Sequence, residues 1–172
     1  MALLFRQERS LEAPRSRGRL PNLVLCYSWG MKKSEAVIEY AGNDFYVATT
    51  PSGHAQVLEG NGERSAASGP LELLMIALGG CTAVDVISIL KKKRQKVTAY
   101  RVEVRGERRE EHPRSFRRME VRHVVTGHGV APEAVRRAVE LSVDKYCSVA
   151  ATLRPTAEIV SSFEVVEETD SK

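Results

Sequence analysis

Two thiols are the groups best placed to do chemistry in this chain, Cys81 and Cys147. Cys81 follows Gly79-Gly80 in the middle of an apolar run from Gly69 to Leu90. A cysteine in a buried helix most often serves as a small apolar side chain. The two glycines argue for something more. Each weakens a helix by roughly 1 kcal/mol relative to alanine, so the pair is better explained by close approach of another backbone or by room left for a substrate. Cys147 falls where two helical stretches meet, and free backbone amides there would favour a thiolate. Two such cysteines form a reacting pair if the fold brings their Cα atoms within about 7 Å. Spacing alone leaves the reacting pair and two inert core thiols both open.

The remaining chemistry-bearing residues narrow the field. No Cys-x-x-Cys and no Cys/His spacing suits a metal, so neither metal nor cofactor is expected. His54 reads as a surface residue and His123 as a strand residue. Cys26 lies in the N-terminal tail and has no assigned role. Three cysteines are too few for a disulfide scaffold. Met1-Ala2-Leu3-Leu4-Phe5 is too short an apolar run for a secretory signal, and arginine follows it at once. The expected location is cytoplasmic, where a transient catalytic disulfide remains possible.

Two helices must position the thiols. The first starts after Ser68-Gly69, with Pro70 in its opening turn and Glu72 near its positive end. It closes on Lys91-Lys92-Lys93-Arg94, which complements the negative end. With no clear polar face, it is expected to be buried on nearly all sides. It is long enough to span a membrane, but Glu72, Asp85 and Ser88 would be costly there, so a core helix is expected and no membrane partner. The second helix is expected over 132–146, with Val135, Ala138, Val139, Ser142, Val143 and Tyr146 as one apolar stripe. A short helix from about Ser148 follows, ended by Pro155.

Strands frame these helices. Residues 35–40, 45–50 and 54–58 read as three short strands separated by turns. Residues 97–111 alternate, with Val97, Ala99, Arg101, Glu103 and Arg105 on one face and Thr98, Tyr100, Val102 and Val104 on the other. Residues 116–126 form a second long strand and 157–166 a final one. The order predicts an α+β fold with an antiparallel sheet covering the helices.

The chain has 172 residues and a net charge of +4. Residues 1–30 hold five arginines against Glu8 and Glu12, leaving only +1 for the rest. The body is nearly neutral, so nucleic-acid binding is not expected. Residues 1–30 read as a basic, disordered tail, and Met31 as a candidate translation start.

Gly69-Pro70-x-Glu72-Leu73 leading to Gly80-Cys81, with Ala138-Val139 and Lys145-Tyr146-Cys147-Ser148-Val149 further on, resembles a known superfamily. It is that of osmotically inducible protein C and organic hydroperoxide resistance protein. The likeness runs from Met31 to about Val166. Gly80-Cys81-Thr82-Ala83-Val84-Asp85-Val86 with Lys91-Lys92 is similar to the bacterial branch described only as OsmC-like. The resemblance implies an OsmC-like domain over residues 31–168. It also implies an intertwined homodimer, with antiparallel sheets wrapped around long central helices and active sites at the subunit interface. In the peroxidase members the cysteine matching Cys81 attacks an organic hydroperoxide and becomes a sulfenic acid. The cysteine matching Cys147 closes a disulfide, which a small dithiol or a lipoylated protein reduces.

Those peroxidases carry a glutamate directly after the proline, where it holds an arginine that activates the thiol. This chain has Leu71 there and the acid at Glu72. At ~100° per residue, Glu72 and Cys81 lie on opposite faces of the helix, so Glu72 is no simple substitute. Arg64, in the loop before the helix, is the candidate cation. Asp85 shares the face of Cys81; close and ionised it would oppose thiolate formation, and the alternative is a pairing with that cation or with a residue of a partner chain. Three readings follow: a thiol peroxidase, a small-molecule binding or redox-sensing module without efficient turnover, and a structural dimer with inert cysteines.

Overall fold

The computed structural model describes residues 34–60 and 66–169; the expected tail and Met31 lie outside them. Two three-stranded sheets and three helices make an α+β fold. β1 (Val37–Gly42), β2 (Phe45–Thr49) and β3 (Ala55–Glu59) pair antiparallel in order. The first turn is tight, with Gly42, Asn43 and Asp44 all at positive φ, a conformation that glycine and asparagine tolerate best. This sheet exposes Val37, Ile38, Tyr40 and Val57.

α1 (Pro70–Lys92) follows. The Glu72 carboxylate accepts the Gly69 N–H at 2.7 Å, satisfying one of the free donors of the helix start. The chain leaves the helix through Arg94 in the left-handed region, φ 55°. By length and mean hydropathy α1 could cross a membrane, yet Leu78, Val86 and Leu90 are fully buried in the protein's own core. The expectation of burial all round needs correction. Ile76 is 60% exposed and Val84 70%, because none of the described elements covers that face.

β4 (Lys96–Arg108), β5 (Phe116–His128) and β6 (Glu158–Glu167) form the second sheet. β4 pairs antiparallel with β5, with Val102 opposite His123. β6 runs parallel to β5, a departure from the all-antiparallel expectation. The intervening helices carry the chain back to the end where β5 began, and a parallel pairing requires such a crossover. A register shift between Val97 and Ala99 also turns Val97 inward to pack on Val86 and Leu90. A bulge moves every residue before it to the other face, so Val97 leaves the wet face on which simple alternation puts it. That wet face is laced by ion pairs, Arg122 with Glu103 and Glu164, and Arg118 with Glu120 and Glu158. Exposed pairs of this kind contribute at most about 1 kcal/mol each.

α2 (Pro132–Leu141) lays Ala134, Val135, Ala138 and Val139 on the core. It does not run on to Tyr146 as a regular helix. A five-residue π-helical segment, Ser142–Tyr146, follows it, and Cys147 begins α3 (Ser148–Leu153). The wider π turn rotates its last residues outward, and Tyr146, expected in the apolar stripe, is half exposed.

Candidate active site

Cys81 projects from the middle of α1, half-buried. Leu71, Leu74 and Leu78 on the same helix, with Met119, Val121, Ala150 and Val149, form the apolar cluster that holds it. Cys147 belongs to that cluster and is buried to 2%. The fold thus packs both thiols into one apolar cluster as neighbours. This is the juxtaposition that residue spacing left open.

Cys147 caps α3, its sulfur accepting the Ala150 N–H at 3.3 Å. The amide end foreseen from the sequence is therefore present, but it does not yield a thiolate. Burial pushes the Cys147 thiol up to about 11, the neighbouring Cys81 sulfur adds to the rise, and the Ala150 and Val149 amides only partly oppose it. Cys147 is held as a neutral thiol at physiological pH. Cys81 is the more exposed of the two.

The other expected site residues fall as follows. Glu72 is exposed and spends its carboxylate on the helix start, away from the thiols. Leu71 packs in the thiol cluster, so apolar surface stands where the peroxidase pattern has a carboxylate. Arg64 lies outside the described residues. Among the described groups that act on Cys147 there is no cation. Asp85 accepts a hydrogen bond from Ser142 Oγ at 3.0 Å. The two glycines separate in role. A Cβ on Gly79 would stand 2.9 Å from Val104 Cγ2, whereas nothing lies within 4 Å of one on Gly80.

A groove of about 580 Å³ runs between α1 and β4, lined by Glu72, Met75, Ile76, Gly80, Tyr100 and Val104. It follows the Gly79 side of α1. Cys81, two residues on and so about 200° round, does not line it. At its wall Tyr100 Oη meets Nδ1 of the fully buried His123 at 2.6 Å. Sequence reading took His123 as an ordinary strand residue and placed Ser142 in an apolar stripe. The signal available was a polar residue at an inward position of each element, but its partner was not legible.

Replacing Glu72 by alanine is expected to cost about 1 kcal/mol, the worth of a helix-start contact, and to leave the oxidation rate of Cys81 unchanged. Thermal melting and thiol-oxidation kinetics on the same variant check both halves.

Known proteins place this fold in a class. The family model described as OsmC-like protein matches residues 60–162, and the chain belongs to that family. Within it, Protein YhfA of Escherichia coli (strain K12) is 42% identical over 132 residues, covering 77% of this chain and 98% of that protein. A hypothetical protein from Aquifex aeolicus VF5 has a crystal structure with TM-score 0.72 and 34% identity, covering 81% of this chain and all of that one. The organic hydroperoxide resistance protein OhrB of Bacillus subtilis shares the fold, with TM-score 0.55 at 12% identity over 78% of this chain and 100% of its own.

Proposed function

We propose that this protein is a thiol-dependent peroxidase that reduces organic hydroperoxides through Cys81 and Cys147. The observation that carries the reading is the approach of the two thiols inside one apolar cluster. The Cys81 thiolate attacks one peroxide oxygen, the O–O bond breaks, and the alcohol leaves with a proton. Cys81 becomes a sulfenic acid. The sulfur of Cys147 then attacks that of Cys81, the S–O bond breaks, and the hydroxyl leaves as water with the thiol proton. A dithiol reductant, small or lipoylated, exchanges with the disulfide, is itself oxidised, and returns both thiols. The apolar cluster favours an organic peroxide over hydrogen peroxide. Arg64 is the proposed activating cation.

The working form in this reading is a cytoplasmic homodimer. A three-stranded sheet with apolar residues exposed on both faces is marginal alone, and α1 leaves Ile76 and Val84 open. A second copy covering these surfaces supports both.

One observation favours a slower, sensing variant of the same chemistry: Leu71 packs against the thiols in place of a carboxylate. The two readings separate on turnover. With cumene hydroperoxide and a dithiol, a peroxidase consumes many equivalents, and mass spectrometry finds a Cys81–Cys147 disulfide when the dithiol is withheld. A sensor forms the disulfide and stops after about one equivalent. Absence of both consumption and disulfide would sink the redox reading altogether.

A further inference from the structure

Cys147 must stay beside Cys81, yet its approach depends on an irregular stretch of backbone. The five residues before it form a π-helical segment, a form that is rare and frequent at functional sites. The segment closes on Ser142, whose carbonyl accepts the Cys147 N–H at 2.8 Å. Ser142 is fully buried. Its hydroxyl donates to Asp85 Oδ2 at 3.0 Å, with the Thr82 carbonyl at 3.5 Å as a further acceptor. Asp85 stands one turn after Cys81 on α1. The same helix that carries the attacking thiol therefore grips the first residue of the turn that delivers its partner.

We infer that Asp85 and Ser142 are positioning residues that hold the π turn so that Cys147 meets the Cys81 sulfenic acid before a second oxidation. The inference rests on the redox reading of the thiol pair. Asp85 accepts the hydrogen bond in a half-buried setting, where a bond to a charged group is stronger than a neutral one. On the far side of Cys147, the Ala150 amide fixes its sulfur. Cys147 is thus held from both sides, and the Ser142 side is tied to α1 by a hydrogen bond. If that anchor is lost, the turn can relax toward regular helix and move the thiol away. Formation of the Cys81 sulfenic acid does not use the anchor, since the attack involves only Cys81 and the peroxide. The two outcomes for Cys81 are then disulfide, with loss of water, or sulfinic acid, with consumption of a second hydroperoxide and release of a second alcohol.

The test is the ratio of sulfinic acid to disulfide at Cys81, read by mass spectrometry after titrating the full-length reduced protein with cumene hydroperoxide and no reductant. Ser142→Ala is expected to raise that ratio about tenfold, the effect of one such hydrogen bond, while the rate of the first oxidation stays within about twofold. Asp85→Asn, whose neutral amide oxygen still accepts from Ser142, is expected to give a ratio between those of the wild type and Ser142→Ala. Asp85→Ala removes the acceptor at a half-buried position and serves as the disruptive variant if Ser142→Ala does not fold. A ratio unchanged in a folded Ser142→Ala or Asp85→Ala protein overturns the positioning role. Wild-type protein that forms no disulfide at all would instead overturn the redox reading beneath it.

Discussion

Cys81→Ser abolishes dithiol-dependent consumption of organic hydroperoxide, by at least about a hundredfold, whereas Cys147→Ser consumes about two equivalents and stops. The difference follows from which sulfur the peroxide meets. A serine hydroxyl at position 81 is not ionised near neutral pH and is a far poorer nucleophile than a thiolate. Cys147 cannot take over, because it is buried and its thiol is held protonated, up to about 11. Without Cys147 the first step still proceeds, but the sulfenic acid on Cys81 has no partner in reach. Further peroxide then drives it to sulfinic acid, which a dithiol does not reverse. Intact-mass spectra after a peroxide titration distinguish the cases: no added oxygen in Cys81→Ser, two added oxygens in Cys147→Ser, and a loss of two hydrogens in the wild type. A Cys81→Ser protein that consumes peroxide at the wild-type rate, or takes up oxygen at Cys147, would reverse the assignment of attacking and resolving thiols.

The geometry behind this experiment was only partly legible in the residues. Alternation over 97–111 and 116–126 identifies β4 and β5 because a sheet with one wet face imposes a period of two. Pro70, Glu72 and Lys91-Lys92 mark α1 because helix ends need those groups. Two features escaped for one physical reason: each is decided by a contact between residues distant in sequence. The bulge at Thr98 returns Val97 to the core and depends on how β4 meets β5. The end of α2 depends on Ser142 finding Asp85, fifty-seven positions earlier. Until that pairing is known, a serine in an apolar stripe reads as filler. Asp85 was recognised as facing the way of Cys81, but the hydrogen bond it accepts from the buried Ser142 was not foreseen. Cys147 shows the converse error. A helix-start amide does lower a thiol, but burial acts on the same group in the opposite direction and is the larger effect.

His123 carries the second large expectation, a loss of about 2 kcal/mol of stability between pH 7 and pH 5. The ring is fully buried in β5, near-parallel to Tyr100 at 6.0 Å between centroids. Nδ1 is hydrogen-bonded to Tyr100 Oη, and Nε2 has no partner among the described residues. Burial lowers the imidazole from an ordinary 6.5 to about 4 and pushes the Tyr100 phenol well above its usual value. Between pH 6.5 and 4 the unfolded chain therefore binds a proton at His123 that the folded chain refuses. The unfolded state gains as pH falls, so the stability is complete above pH 6.5 and is lost down to pH 4. At 1.36 kcal/mol per pH unit this amounts to about 2 kcal/mol by pH 5 and about 3 kcal/mol by pH 4. Carboxylates also titrate in this range, so the slope of the wild type alone does not isolate the histidine. The comparison with His123→Phe does. Phenylalanine fits the buried volume, cannot be protonated, and leaves every carboxylate in place. Its cost at pH 7 is the lost Tyr100 contact, and its advantage grows as pH falls, so the wild-type lead should shrink by about 2 kcal/mol at pH 5. Urea unfolding of both proteins at the two pH values, at one fixed protein concentration, measures that difference. Parallel curves for wild type and variant would mean that the folded protein accommodates the protonated ring, which requires an acceptor for Nε2–H that opens as His123 charges.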